Sequence, residues 1–397
     1  MTTITKTRIE SIDILRGIVM VIMALDHTRD FFHITAWTDD PLNLATTTPA
    51  LFFTRLITHF CAPIFVFLSG TSIFLQSQRK TSNELFKFLI IRGLWLIFME
   101  FTLVALFTTF DLYFHLLVLQ VIWAIGISMI ILAFLQKFSY RFILILGLII
   151  VLGHNLLDFP EAAPGFKAGF WWELLHHGKW AVYPVFGNHS IVIFYPFVPW
   201  LGIMLMGYCF GIFFTNSYSL NQRKSLFIKI GLGMLLLFIV LRIINIYGDP
   251  FPWTMQDTNI KTVLSFLKIN KYPPSLLYMS LTIGVAILTL AFLENIKNSF
   301  TTIARTFGRV AFFYYIVHWF VLHSLVTIYF FANGHSQKMA EELLATVPWL
   351  YVVPPDGLSL PYVYLIWISV IIALYPLCKW YDKYKTAHPE KWWLSYL

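Results

Sequence analysis

Long apolar runs separated by short polar segments dominate the chain. A helix of about 20 apolar residues is long enough to cross the roughly 30 Å hydrocarbon core of a bilayer. The pattern contains ten such runs and therefore predicts about ten transmembrane helices. Their approximate limits are 12–33, 51–75, 86–109, 113–135, 141–158, 191–215, 226–247, 275–294, 309–332 and 360–380.

Three segments between these helices are long, at 159–190, 248–274 and 333–359, and they are rich in Pro, Gly, Trp and His. This composition predicts short helices and turns that cover one face of the bundle. Apolar residues at 260, 263, 264 and 267 follow helical spacing, which predicts an amphipathic helix on the membrane surface. No composition shift marks a boundary, so residues 1–397 are predicted to form a single all-α transmembrane domain.

Composition and charge agree with this prediction. The 397 residues are 58% hydrophobic and only 12% charged, whereas a soluble domain carries about 25% charged residues. With a cytoplasmic N-terminus, 19 of the 28 basic residues fall in or beside cytoplasmic segments, as the positive-inside rule requires. The net charge of +8 is therefore explained mainly by the orientation of the chain in the membrane. Both termini are predicted to be cytoplasmic, the bilayer is the predicted partner, and nucleic acid is not.

Cysteine and histidine spacing gives no sign of a metal centre or a disulfide framework. The cysteines are far apart with no CxxC, and the histidines of the long loops lack the spacing of a zinc site. The sequence thus predicts no metal. The residues concerned are Cys61, Cys209, Cys378, His154, His176, His177 and His189.

The first predicted helix ends in an unusual concentration of ionisable residues. Asp26, His27, Arg29, Asp30 and His33 follow a purely apolar stretch. At i,i+3 and i,i+4 spacing the two aspartates and two histidines can share one broad helical face, and Arg29, at i+3 from Asp26, could neutralise it. Charges in a bilayer cost at least a few kcal/mol unless they face protein or a wet cavity, so this face is predicted to point into the bundle.

The second predicted helix carries Arg55 and His59 at i,i+4 spacing near the same membrane face. Both side chains are therefore expected to meet the charged end of the first helix.

Four interpretations of the cluster remain open at this point. It could be an ion-pair network that fixes helix packing, or a metal site built from Asp26, Asp30 and His33, for which the spacing is weak support. Acid–base chemistry is a sharper hypothesis, since an imidazole oriented by a carboxylate can take a proton near neutral pH. A proton-coupled transporter is the alternative, with Asp26, His27 and Asp30 as its proton relay.

Several motifs resemble those of one family. The chain begins "RIESIDILRGIVMVIMALDHTRDFFH" and continues "FFTRLITHFCAPIFVFLSGTSIFL". Later motifs are "FYPFVPWLGIMLMGYCFG" at 194–211, "KYPPSLLYMSLTIG" at 271–284, "GRVAFFYYIVHWFVLH" at 308–323 and "WWLSYL" at 392–397. In this order they resemble bacterial members of the heparan-alpha-glucosaminide N-acetyltransferase-like family, within the transmembrane acyltransferase superfamily.

The resemblance implies an inner-membrane enzyme that passes an acetyl group from cytosolic acetyl-CoA to a sugar or amino-sugar acceptor on the other side. Arg16 and His27 match the superfamily's Arg-x10-His signature, which implies that His27 is the catalytic base and that Arg16 lies towards the donor. The lysosomal branch has Asn at the aligned position and a later histidine, so His33 is a rival to His27. Direct transfer and an acyl-histidine intermediate both remain open, as does a homodimer.

The remaining candidates divide between the two substrates. Basic residues on the cytoplasmic side could attract the phosphates of coenzyme A, and the small residues of "LSGTS" could leave room for its pantetheine arm. Topology signals and close helix packing are the plain alternatives. The predicted donor set is Arg16, Ser69, Arg79, Arg92 and Arg309, and the predicted acceptor-side set is Arg29, Arg55, His59, Tyr272 and His318.

Overall fold

The computed structural model describes residues 9–344, 347–391 and 393–394. These residues form a helical bundle with one small sheet, so the predicted all-α polytopic class is confirmed. Two of the basic residues counted above, Lys6 and Arg8, lie outside the described residues, as does most of the "WWLSYL" motif.

Seventeen α-helices follow one another along the described residues. They are α1 Glu10–Phe32, α2 Pro49–Thr58, α3 Cys61–Ser77, α4 Ser82–Met99, α5 Ala105–Thr109, α6 Val121–Leu135, α7 Tyr140–Gly153, α8 Asp158–Glu161, α9 Phe170–Trp172, α10 Phe197–Phe210, α11 Leu220–Ile244, α12 Asn259–Leu267, α13 Leu276–Leu293, α14 Ser299–Arg309, α15 Ala311–Ala332, α16 Gln337–Leu343 and α17 Leu360–Ala387. Five-residue π-helices lie at Glu100–Val104 and Glu173–His177. Short 3-10 helices lie at His154–Leu157, Gly211–Phe214 and Pro354–Asp356.

Within the described residues, eight helical segments are long and apolar enough to cross a membrane. They correspond to eight of the ten predicted helices. The other two are also helices: α1 has 23 residues but carries the charged cluster, and α6 has only 15 residues. The predicted amphipathic helix is present as α12, with Ile260 and Val263 exposed and Leu264 buried.

Two predicted spans were wrong in detail. The segment 113–135 is not one helix, because its first part forms a β-strand and α6 begins only at Val121. The segment 51–75 is split into α2 and α3 around His59 and Phe60. Pro63 explains the split, since its ring clashes with the carbonyl four residues earlier and it has no N–H to donate. The freed carbonyl of His59 instead accepts the Tyr278 hydroxyl of α13 at 2.6 Å.

A three-stranded sheet lies on the side of the bundle where α1 ends. Its strands are β1 Leu116–Leu119, β2 Ala181–Phe186 and β3 His189–Ile193, in the spatial order β1-β3-β2. β1 pairs in parallel with β3, while β2 and β3 form an antiparallel hairpin. The apolar "LLVL" of β1 was included in the predicted transmembrane helix 113–135, because an apolar run alone does not distinguish a strand from a helix.

The helix α1 lies at the centre of the bundle, with most of its residues buried. Its first turn and the last turns of α17 both contact α14: Arg305 pairs with Glu10 at 2.5 Å, and Arg309 pairs with Asp382 at 2.9 Å. The described ends of the chain therefore lie at one end of the bundle, as an even number of spans requires. The peripheral helices α7, α11 and α17 are mostly exposed and apolar, which suits contact with lipid.

Candidate active site

Asp26 is the hub of a buried ion-pair network at the far end of α1. Its carboxylate accepts hydrogen bonds from Arg29 at 3.0 Å, from Arg55 at 2.5 and 2.6 Å, and from the Thr58 hydroxyl at 2.9 Å. Arg29 also donates to Asp30 at 2.5 Å. The structure thus brings α2 against the charged face of α1, as predicted. These donors occupy the oxygens of Asp26, and its hydrogen bonds do not include His27.

The imidazole of His27 is held instead by a second histidine. His27 Nδ1 lies 2.7 Å from His318 Nε2 on α15, across 291 residues of sequence. The other ring nitrogen of His318, Nδ1, lies 3.0 Å from the carbonyl oxygen of Tyr314. A carbonyl only accepts, so His318 Nδ1 carries the proton. In the neutral pair, His318 Nε2 then accepts from His27 Nδ1–H, which leaves the lone pair on His27 Nε2.

Aromatic packing fixes the plane of the His27 ring. The ring stacks on Trp319 with centroids 3.9 Å apart and an interplanar angle of 22°. His318 is fully buried, whereas His27 keeps partial exposure. The pair therefore has one solvent-excluded member, His318, and one partly exposed member, His27.

His33, the rival to His27, is in a different situation. It lies just beyond the last residue of α1, and its Nδ1 accepts the backbone N–H of Thr35 at 3.2 Å. In the neutral ring the proton is then on Nε2, so no lone pair remains free.

The loop before α13 carries Tyr272, a member of the predicted acceptor-side set, and next to it Lys271. Tyr272 lies beside Tyr195, with hydroxyls 3.5 Å apart, and stacks on Phe194 at 4.0 Å. Lys271 is buried, and its ammonium lies 5.0 Å from the centre of the Tyr272 ring. Among the described residues, no carboxylate lies within ion-pair distance of Lys271. Lys271 belongs to the "KYPPSLLYMSLTIG" motif but was given no role from the sequence; its place directly before the "YPPS" helix start was the available signal.

A cavity of about 770 Å³ opens at the other end of α1. Among the described residues that line it, six are basic and one, Asp13, is acidic. All five residues predicted for the donor line this cavity. Four of them lie on α1, α3, α4 and α14, and the fifth, Arg79, lies just after the end of α3. The basic residues are Arg16, Arg79, Arg92, Arg223, Arg309 and Lys385, and Ser69 lies on the same wall.

Arg16 ties three helices together at the wall of this cavity. Its guanidinium donates to Asp13 at 3.0 Å, to the Gly308 carbonyl at 3.3 Å and to the Ser72 hydroxyl at 3.1 Å. Only glycine fits at position 308, because a Cβ there would lie 1.8 Å from the Asp13 carbonyl oxygen. Close contact of α1 with α14 is thus a condition for the position of Arg16.

The deep end of the cavity approaches the histidine pair. Met23 and Tyr315 line the cavity, and Met23 lies one helical turn before His27. The ring of Tyr315 is 5.6 Å from that of His318. A helical rise of 1.5 Å per residue places His27 about 16 Å along the axis from Arg16. The basic cavity and the acid–base pair therefore lie on one line through the bundle.

Comparison with known families supplies the decisive observation. Residues 8–246 match the family described as "Heparan-alpha-glucosaminide N-acetyltransferase, catalytic". The chain belongs to this family. Among curated proteins, none gives a significant match.

Membership in the heparan-alpha-glucosaminide N-acetyltransferase family makes the protein a multi-pass membrane acetyltransferase. The matched region contains α1 to α11, with Arg16, His27 and Arg55. His318 and Lys271 lie beyond it, and only the fold brings them to the cluster.

This member of the family has a second polar cluster, at the outer end of α7. His176 Nε2 lies 3.1 Å from His154 Nδ1, and His176 Nδ1 lies 2.7 Å from Glu161. Asp158 is close enough that one ligand atom from each of Asp158, Glu161 and His176 falls within a 4.8 Å group. Local spacing does not reveal this cluster, because the 159–190 loop folds back to bring His176 onto α8.

Proposed function

We propose that the protein transfers the acetyl group of acetyl-CoA, bound in the basic cavity from the cytoplasm, to a sugar acceptor that arrives from the opposite face of an inner membrane. His27 acts as the general base. The observation that carries the proposal is the His27–His318 contact, because it leaves His27 Nε2 with a lone pair one helical turn from the cavity.

The charge of the cavity supports acetyl-CoA as the donor. Coenzyme A is a polyanion, and a cleft with six basic side chains and one acidic one attracts such a molecule. Arg79 is exposed at the mouth, whereas Arg16 lies deeper between α1, α3 and α14. The phosphates would bind near the mouth, and the pantetheine arm would run past Ser69 towards Met23.

The reaction follows from the free nitrogen of His27. The acceptor's hydroxyl or amine gives its proton to His27 Nε2 and attacks the thioester carbonyl, forming a tetrahedral oxyanion. The C–S bond then breaks, and the departing thiolate of coenzyme A takes the proton back. Throughout the reaction, His318 Nε2 accepts the hydrogen bond from His27 Nδ1–H. It thereby stabilises the His27 imidazolium, as the third member of a catalytic triad does. The buried ammonium of Lys271 provides the positive charge that stabilises the oxyanion.

Aromatic rings on the outer side support a sugar as the acceptor. A continuous series of ring contacts leads from Trp319, under His27, to the surface loops, and aromatic faces stack well on the apolar faces of sugars. Successive centroid distances are 5.5, 4.6, 6.4, 3.9 and 4.0 Å. The series is Trp319, Trp349, Trp37, Trp180, Phe194 and Tyr272.

The experiment compares His27→Ala with His33→Ala in purified full-length protein. Release of the coenzyme A thiol from acetyl-CoA is measured with and without glucosamine as an amino-sugar probe, and acetyl-CoA binding is measured by calorimetry. His27→Ala is expected to keep acetyl-CoA binding but to lose about 10²–10⁴-fold in rate, the usual contribution of a general base. His33→Ala should stay within about threefold, because its lone pair is already used.

A large loss in His33→Ala with an active His27→Ala would overturn the assignment of the base. If the wild-type protein neither binds nor cleaves acetyl-CoA, the acetyl-CoA proposal fails. Solute-driven proton uptake into proteoliposomes, abolished by Asp26→Asn, would then support the transporter alternative.

A further inference from the structure

We propose that Asp158, Glu161 and His176 bind a divalent transition-metal ion, with Zn²⁺ as the best-fitting probe. Asp158 and Glu161 lie one turn apart on α8, and His176 comes from the π-helix Glu173–His177. One ligand atom from each lies within 4.8 Å of the others. Imidazole nitrogen and carboxylate oxygen form a common donor set for zinc.

The His176–Glu161 pair needs a modest adjustment to hold the ion. His176 Nδ1 and the nearer Glu161 oxygen are 2.7 Å apart. Two ligands at zinc bond lengths of 2.0–2.1 Å in a tetrahedron lie about 3.3 Å apart. Replacing the Nδ1 proton by the metal would therefore open this pair by a few tenths of an ångström, which a side-chain rotation can supply.

Each proposed ligand is held by a second polar group, as ligands of metal sites commonly are. Asn155 donates to Asp158 at 2.6 Å, and the Trp172 indole donates to Glu161 at 2.8 Å. His154 meets the far nitrogen of the His176 ring at 3.1 Å. The orientation of all three ligands is thus fixed before an ion arrives.

Burial and charge provide the independent argument for a cation. The side chains of His176 and Glu161 are only 2% and 3% exposed. Among the described residues, neither Glu161 nor Asp158 has an arginine or lysine within ion-pair distance. Within this described part of the chain, the Glu161 side chain is thus a buried carboxylate whose only charged partner would be His176, which is costly when that ring is neutral. A divalent ion would neutralise it together with the half-buried Asp158.

His154 adds an unsatisfied buried nitrogen to the same cluster. The residue is 5% exposed, and its ring faces His176. Its Nε2 is buried and has no hydrogen-bond partner among the described residues. A buried polar atom of this kind is rare and calls for an explanation. The contact with His176 uses the other nitrogen, Nδ1, so His154 serves the proposed site by orienting the His176 ring.

The ion would fasten the outer loop to the core. Asn155, which holds Asp158, also accepts the backbone N–H of Leu276 at 2.8 Å, in the first turn of α13. The residues just before that turn include Lys271 and Tyr272. The Asn155 side chain therefore connects the metal site to the start of α13. The direct effect of the metal is on stability, so this proposal does not depend on the acetyl-transfer proposal.

Metal content and thermal unfolding of the full-length protein test the proposal. Wild-type protein equilibrated with Zn²⁺ and desalted is expected to hold about one zinc per chain by elemental analysis. EDTA should lower its unfolding midpoint by several degrees, and added Zn²⁺ should restore it. Glu161→Gln should lose the bound zinc and the response to EDTA together.

Trp172→Phe provides a milder variant that keeps the ring but removes the donor to Glu161. It is expected to weaken zinc binding about 10–100-fold, the usual effect of losing an outer partner. Trp171→Phe, at a 71% exposed neighbour, is the matched control. His177→Gln controls for a general effect, because His177 pairs with Glu173 at 2.9 Å outside the proposed ligand set. The proposal would be overturned if wild-type protein equilibrated with Zn²⁺ retained no zinc and had the same unfolding midpoint with and without EDTA.

Discussion

The position of a single proton distinguishes His27 from the other histidines of the outer cluster. The sequence favoured His27, which completes the Arg-x10-His signature with Arg16, and kept His33 as its rival. The deciding contacts are those of His318 with His27 and of Thr35 with His33. Sequence reasoning named all three histidines, but it expected a carboxylate to orient the base, and Asp26 is instead occupied by arginines.

His318 is therefore predicted to be a positioning residue. His318→Ala should lower kcat about 10²-fold while leaving the KM for acetyl-CoA unchanged, because it removes the acceptor for His27 Nδ1–H without touching the cavity. His318→Gln offers a side-chain oxygen at a similar distance and should recover part of the rate. Steady-state kinetics of both variants provide the measurement. Equal loss in the two variants, or a raised KM, would point to a role in packing alone.

At the scale of helices, glycine determines how closely α1 approaches α14. A Cβ on Gly17 would lie 1.7 Å from the Ala304 carbonyl oxygen, closer than any real contact. The sequence shows glycines in both segments but gives no indication that they face each other. The helix α14 was not predicted, because it is short and carries few apolar residues.

Gly17→Ala is expected to force α1 and α14 apart and to destabilise the protein by about 1–3 kcal/mol or more, as overpacking does. Gly233→Ala on α11 is the matched control, since a Cβ there meets nothing within 4 Å; it should leave stability unchanged or slightly higher. Thermal unfolding in detergent compares the two. Equal midpoints would show that the two helices can separate without cost.

At the scale of the whole molecule, basic residues from distant parts of the chain collect at one cavity. Arg16, Arg79, Arg92 and Arg309 span almost 300 residues of sequence, yet all line the same space. Charge bias predicted their common side of the membrane, and the resemblance predicted the donor role. Their convergence depends on the packing of α1, α3, α4 and α14.

Arg79→Gln is expected to raise the KM for acetyl-CoA about tenfold with kcat little changed, because an exposed cation at the mouth acts on the donor's phosphates. Acetyl-pantetheine, a thioester without phosphates, should be used equally well by variant and wild type. Lys338→Gln is the control, as Lys338 is highly exposed and outside the cavity. Added salt should reduce the difference between Arg79→Gln and wild type. A similar rise in KM for both thioesters would contradict this role for Arg79.

The sequence by itself determined the membrane class, most of the long helices and the family, because apolar length and ordered motifs are local properties. The tertiary structure alone decided which nitrogen of His27 is free, where the basic residues meet, and that His154, Asp158, Glu161 and His176 form one cluster. The physical reason is the long sequence separation between the residues that make these contacts. The His27–His318 contact joins residues 291 positions apart, and no local period encodes such a pair; it exists only after α1 and α15 have packed around the same core.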